Sequence, residues 1–176
     1  MGACRRALSV PRRADATVMK HSFQYSTVAS TQGTDILPGE APSVLASMQS
    51  RPLWDEVCVF PRDVQFPLLN LSWHAPHGFV LQCFERPQSW SDFLVVDESL
   101  SPPAIDIVLG GQTQEQWPRQ LFVPIGLARE ALEFFLETGC QGSNLRWIRI
   151  DRFPRRTIWE GRRGQQTWER KNSSRS

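Results

Sequence analysis

The sequence predicts an α+β domain: an antiparallel β-sheet meander with one main helix packed on a face and a short helix at its N-terminal end. Three observations predict it. Short β-branched and aromatic runs follow one another between residues 54 and 123, separated by Pro- and Gly-bearing turns and not by helices, which is how hairpin-connected strands read. A single later run, 124–138, has a clear helical period. The 176 residues are 40% hydrophobic and 10% aromatic, enough to exclude a fully disordered chain and suited to one domain with tails.

Residues 1–40 read as a flexible N-terminal extension. Positions 21–40 are rich in Ser, Thr, Gln and Gly with little periodicity, and Met19 reads as the translation start. The short helix begins near Pro42, where Val44, Leu45 and Met48 repeat at helical spacing and Pro52 enforces a stop. Residues 54–60 then read as a strand closed by Pro61, and 66–74 as a second with Leu69, Leu71 and Trp73 on one face. Ala75-Pro76-His77-Gly78 is a turn into the strand 79–85, which places Phe79, Leu81 and Cys83 on one side. Runs 91–96 and 104–109 are further strands around Ser101-Pro102-Pro103, and another leads through Trp117 to Val123.

The helix from Pro124 to Thr138 follows. Pro124 suits a first helical position, Ala128, Ala131, Leu132, Phe135 and Leu136 form an apolar stripe, and Gly139 ends it in a left-handed conformation. Beyond Gly142 the alternation of Leu145, Trp147, Ile148 and Ile150 with Arg146 and Arg149 returns to strand character, and a last strand is expected over 157–160. The domain therefore spans 41–161, and 162–176 read as a basic, largely disordered tail.

The net charge of +2 is a cancellation. Residues 1–34 hold five basic residues and one acid, and 152–176 hold eight basic residues and two acids; between them, 35–151 hold seven basic residues against fifteen acids, a net −8. Cys4, Cys58, Cys83 and Cys140 are scattered with no zinc-type spacing. Scattered cysteines in a chain with its own core read as reduced, buried thiols, which favours the cytoplasm. No apolar run reaches the roughly 20 residues of a membrane helix.

Chemistry-bearing motifs are few. His74 and His77 flank a turn near Cys83, and a Cys-His pair can make a nucleophile, but no matching acid or oxyanion element accompanies them. Gly110-Gly111-Gln112 matches the tripeptide of peptide-release factors without its basic, glycine-rich surroundings. No phosphate-cradling glycine loop, metal-binding helix pair or nucleophile elbow occurs. The sequence thus names no catalytic residue, metal or cofactor. Arg152, Arg155, Arg156, Arg162, Arg163, Arg170 and Lys171, interleaved with Phe153, Trp159 and Trp168, offer an alternative: nucleic-acid binding by phosphate contact and base stacking.

The segment Leu121-Phe122-Val123-Pro124, followed by Ala128, Ala131-Leu132, Phe135-Leu136, Thr138-Gly139 and Leu145-Arg146-Trp147, resembles the C-terminal signature of immunity protein family 1 of bacterial polymorphic toxin systems. The helix around Leu45 and the strands 57–60, 78–85 and 105–111 fit upstream in order, so the resemblance spans about residues 42–160. The chain departs from the simplest members in its N-terminal extension and in the basic tail from Arg162 onward.

The resemblance implies a non-catalytic inhibitor that neutralises a cognate toxin by covering its active site. Where that toxin is a nuclease or nucleic-acid deaminase with a basic cleft, the acidic segment 35–151 suits it as a decoy for substrate and steers association. On this reading the toxin-contacting candidates are Asp92, Asp97, Glu98, Glu115 and Trp117, with Trp90 beside them, because they lie in loop-like stretches and interface centres favour aromatic anchors.

Overall fold

Side chains in the runs that begin at Trp54, Leu68 and Gly78 separate into a buried set and a half-buried set, and that separation lays down the centre of one sheet. The computed structural model describes residues 22–87, 89, 91–96, 104–109 and 113–152. In chain order the elements are β1 (Phe23–Thr27), β2 (Ser30–Ile36), α1 (Ala41–Gln49), β3 (Trp54–Pro61), β4 (Leu68–His74), β5 (Gly78–Phe84), β6 (Asp92–Leu94), β7 (Ala104–Leu109), β8 (Thr113–Pro118), α2 (Ile125–Thr138) and β9 (Trp147–Arg149). Seven strands form an antiparallel sheet in the order β2-β1-β3-β4-β5-β6-β9, and β7 pairs with β8 in a separate ribbon. The architecture is the expected α+β class.

One expectation is overturned. Residues 23–36, read as part of a flexible extension, form a hairpin whose first strand lies between β2 and β3. The physical reason is local: Phe23 and Ile36 stand opposite each other in the β1–β2 register, and each is only 2% exposed. The hairpin buries one apolar position at each end, with Tyr25 partly buried against the core, and most other positions are Ser, Thr, Gln, Gly or Asp, so its sequence looks like a loop. The folded unit begins before residue 41.

The end of the meander also differs. The run through Trp117 to Val123 does not continue as one strand: β8 stops at Pro118, residues Arg119–Leu121 form a 3-10 turn, and Val123 bridges to Phe79. Pro124 is the cap of α2, with extended backbone (ψ 157°), and its carbonyl accepts from the Ala128 N–H at 3.1 Å. Gly139 ends the helix at φ 69°, a left-handed conformation that a Cβ disfavours, and its N–H donates to the Phe135 carbonyl at 2.7 Å.

Both helices cover the same sheet face. Leu45 and Met48 of α1 and Ala128, Ala131, Leu132, Phe135 and Leu136 of α2 pack with Val57, Val59, Leu69, Leu71, Phe79, Leu81 and Cys83. The rings of Phe23 and Phe135 meet at 5.5 Å between centroids, tying the first strand to the last helix. Burial of a side chain such as Phe135 contributes about 1.5–3 kcal/mol. On the opposite face a second core joins Val80, Phe93 and Ile148 of the sheet to Ile105 and Ile107 of β7, Trp117 of β8, and Leu121 and Phe122. No helix among the described residues is long and apolar enough to cross a membrane. The expected strand 157–160, the Gly110-Gly111-Gln112 tripeptide, the basic residues from Arg155 onward and the proposed start at Met19 lie outside the described residues.

Candidate functional site

The face opposite the helices is only partly occupied by the second core. On β3, β4 and β5 the side chains that alternate with the helix-side core include the polar Glu56, Cys58, Asn70, Ser72 and Gln82, half-buried and in neither apolar cluster, alongside Phe60, Leu68, Val80 and Phe84. The register aligns Cys58 with Asn70 and Asn70 with Gln82, and sets Glu56 opposite Ser72. A polar row therefore crosses three strands.

Hydrogen bonds hold this row in place. Asn70 Nδ2 donates to Glu56 Oε1 at 2.8 Å, and its Oδ1 accepts from Cys58 Sγ at 3.3 Å. Gln82 Nε2 donates to Ser91 Oγ at 2.7 Å. Burial, and secondarily the Glu56 carboxylate, push the Cys58 thiol up to about 11, so it stays protonated at neutral pH as a donor to Asn70. A thiolate is the reactive form of cysteine, so Cys58 is structural. The row presents fixed donors and acceptors with one carboxylate.

Of the residues singled out from sequence, the two whose side chains are described, Asp92 and Trp117, do not share a face. Asp92 lies on β6, half-buried, where its Oδ2 accepts from Gln141 Nε2 at 2.9 Å; its register partner is Arg149. Trp117 is only 7% exposed and packs at 6.2 Å from the Phe93 ring. Since successive side chains of a strand point to opposite faces, Asp92 and the Phe93–Trp117 pair lie on opposite sides of the sheet. Trp117 is thereby corrected from an interface candidate to a core residue: its indole fills the space between β8 and the sheet. Glu115 pairs through its backbone with Ile107. Trp90, Asp97 and Glu98 lie outside the described residues.

His74, His77 and Cys83 do not form a nucleophile and base. Cys83 is buried in the helix-side core, whereas His74 is buried on the other face against Trp117 (6.1 Å) and Phe122 (5.8 Å). His74 pairs with Gly78, which puts Cys83 roughly 17 Å away along β5. Burial, assisted by nearby His77, lowers the His74 imidazole to about 4, and its Nε2 lies 3.1 Å from Ser72 Oγ. Among the described residues no group of three or more His, Cys, Asp or Glu side chains is placed to hold a metal ion.

Sequence reasoning missed the polar row, although a signal for it existed. Glu56, Cys58, Asn70, Ser72 and Gln82 occupy every second position opposite the leucine and valine stripe, and reading the unburied phase of that alternation would have found them. No protein-family model matches the chain, and no curated protein matches it.

Proposed function

We propose that this chain is a bacterial immunity protein of the cytoplasm, which binds a cognate polymorphic toxin and neutralises it by covering its active site. The toxin is a nuclease or nucleic-acid deaminase with a basic substrate cleft. The observation that carries this reading is how the residues of the resemblance pack together. Leu121 and Val123 are buried ahead of α2, its stripe Ala128, Ala131, Leu132, Phe135 and Leu136 faces the sheet, Gly139 stops the helix, and Trp147 pairs opposite Leu94. Val123, the α2 stripe and Trp147 belong to the helix-side core, while Leu121 and Phe122 join the core on the opposite face, so the resembling segment links the two cores.

Charge supports the same reading. Glu40, Asp63, Glu85, Glu130 and Glu137 are exposed and make no salt bridge among the described residues, within a segment of net −8. Such a surface attracts a basic cleft and accelerates encounter. The polar row from Glu56 to Gln82 suits the contact because side chains already held by hydrogen bonds lose little freedom on binding.

Co-expression with the product of the adjacent gene tests the proposal. The expected result is rescue of growth and a stoichiometric complex whose association slows as salt is added; a toxic neighbour that is neither bound nor relieved overturns it. A chain cut after Arg152 separates the nucleic-acid reading, because RNA affinity and its salt dependence that disappear together with residues 153–176 would place the function in the basic C-terminal segment.

A further inference from the structure

A solvent-open cavity of about 530 Å³ lies where four segments of the fold meet. Pro76 and His77 come from the β4–β5 turn, Val96 follows β6, Ile105 is on β7, and Arg119, Gln120 and Phe122 come from the turn after β8. Its size is within the range of about 300–1,000 Å³ common to small-ligand sites. None of these residues belongs to the polar row on β3–β5.

The backbone frame of the cavity is tied from several directions. Val96 N–H donates to the Gln120 carbonyl at 2.9 Å, and Phe122 N–H to the Arg119 carbonyl at 3.1 Å. Phe79 and Val123 exchange two hydrogen bonds of 3.0 and 2.8 Å, and His77 N–H donates to the His74 carbonyl at 2.7 Å. The His77 ring rests edge-on against Phe122 at 5.7 Å. These bonds hold the backbone around the described lining residues in place.

The lining divides into two kinds of chemistry. Pro76, Val96, Ile105 and Phe122 are apolar; Arg119, His77 and Gln120 are polar. Arg119 and His77 are exposed, and the salt bridges among the described residues use Arg51, Arg62, Arg129 and Arg149 instead. Among the described residues Arg119 makes no salt bridge, so its guanidinium lines the cavity in a position to meet an anion from outside.

We propose that this cavity binds a monoanionic carboxylate carried on a ring-sized apolar body, with the carboxylate on Arg119 and the body against Phe122, Ile105 and Val96. One guanidinium supplies one formal charge in a planar fork that fits a carboxylate with two parallel hydrogen bonds. A phosphate dianion would keep an uncompensated charge beside an apolar wall. The carboxylate is supplied either by a free aromatic acid or by the C-terminal aromatic residue of a peptide. This inference does not depend on the function proposed above.

An NMR titration of the full chain, following the Gln120 and Phe122 amides and the His77 ring, tests it with five probes: phenylacetate, benzyl alcohol, inorganic phosphate, a tetrapeptide ending in Phe, and the same tetrapeptide amidated. Phenylacetate or the free-acid peptide, or both, should shift these signals saturably, and which of them binds identifies the source. Benzyl alcohol, phosphate and the amidated peptide should bind at least about tenfold more weakly. Arg119→Gln, at an exposed position, should keep the fold and lose the binding by a similar factor, and Arg119→Lys should recover part of it. Absence of binding by both acids, equal binding of phosphate or the alcohol, or undiminished affinity in folded Arg119→Gln would overturn the proposal.

Discussion

The helix-covered face of the sheet and the face opposite it are buried by different means. On the first, two helices close over a continuous apolar stripe that runs from Phe23 through Leu69 and Leu81 to Leu94. On the second, the β7–β8 ribbon and the turn after it cover Val80, Phe93 and Ile148, while Glu56, Cys58, Asn70, Ser72 and Gln82 remain half-buried and polar. Apolar contact concentrates on one side, and the other side divides between a smaller core and half-buried polar groups. Most of the apolar core and the polar row therefore lie on opposite surfaces of the same strands, so each can be altered with limited effect on the other.

The largest expected effect tests that division. Phe135→Ala empties a site that is 1% exposed and should cost about 3–5 kcal/mol in denaturant unfolding. Ile107→Ala, in the smaller core, should cost about 2–3 kcal/mol. Equal losses at the two positions would break the comparison.

His74 makes the second face sensitive to pH. Its folded pKa of about 4 lies below its ordinary value of 6.5, so the unfolded chain binds the proton more readily. Its contribution is complete above about pH 6.5 and is lost as pH falls toward 4, by about 3 kcal/mol in all. His74→Gln should flatten this part of a stability-against-pH curve measured by urea unfolding; an unchanged slope would remove His74 as its cause.

Gly139→Ala should cost about 1–2 kcal/mol, read from the shift in Tm. A Cβ there meets nothing closer than Phe23 Cζ at 3.7 Å, so the penalty comes from the left-handed backbone and not from crowding. A wild-type Tm would show that α2 can end in another conformation.

The smallest effect belongs to the polar row. Glu56→Gln should change stability by less than about 0.5 kcal/mol, yet lower the Cys58 pKa, seen as faster alkylation of Cys58 at alkaline pH. Burial is the larger cause of the raised pKa, so the thiol should remain less reactive than a free one. An unchanged alkylation rate would sever the link between carboxylate and thiol.

What could be read from sequence follows the same division. The α2 stripe, its Pro124 entry and Gly139 exit, and the strands at 54–61 and 104–109 were legible because each is fixed by its own neighbours in the chain. The β1–β2 hairpin was not, since Phe23 and Ile36 draw their burial from residues far along the chain, including Phe135. Trp117 was misassigned for a related reason: only the folding of β7–β8 onto Phe93 decides whether an indole in that run is an anchor or a filler. The alternation that positions Asn70 and Gln82 was visible, but the cavity beside Arg119 joins a turn, a 3-10 turn and two strand ends, and no sequence period links them.

The position of β1 between β2 and β3 has a practical consequence for anyone shortening the chain. A fragment that begins at residue 41, where the sequence invites a cut, removes β1 and with it the pairs Gln24↔Phe60, Tyr25↔Val59 and Thr27↔Val57 that β1 makes with β3. The long edge of β3 would then present unpaired N–H and C=O groups flanked by Val57, Val59 and Phe60, a template for pairing with other copies. The N-terminal hairpin is in this sense a guard strand, and the shortest fragment expected to stay dispersed in solution retains Phe23.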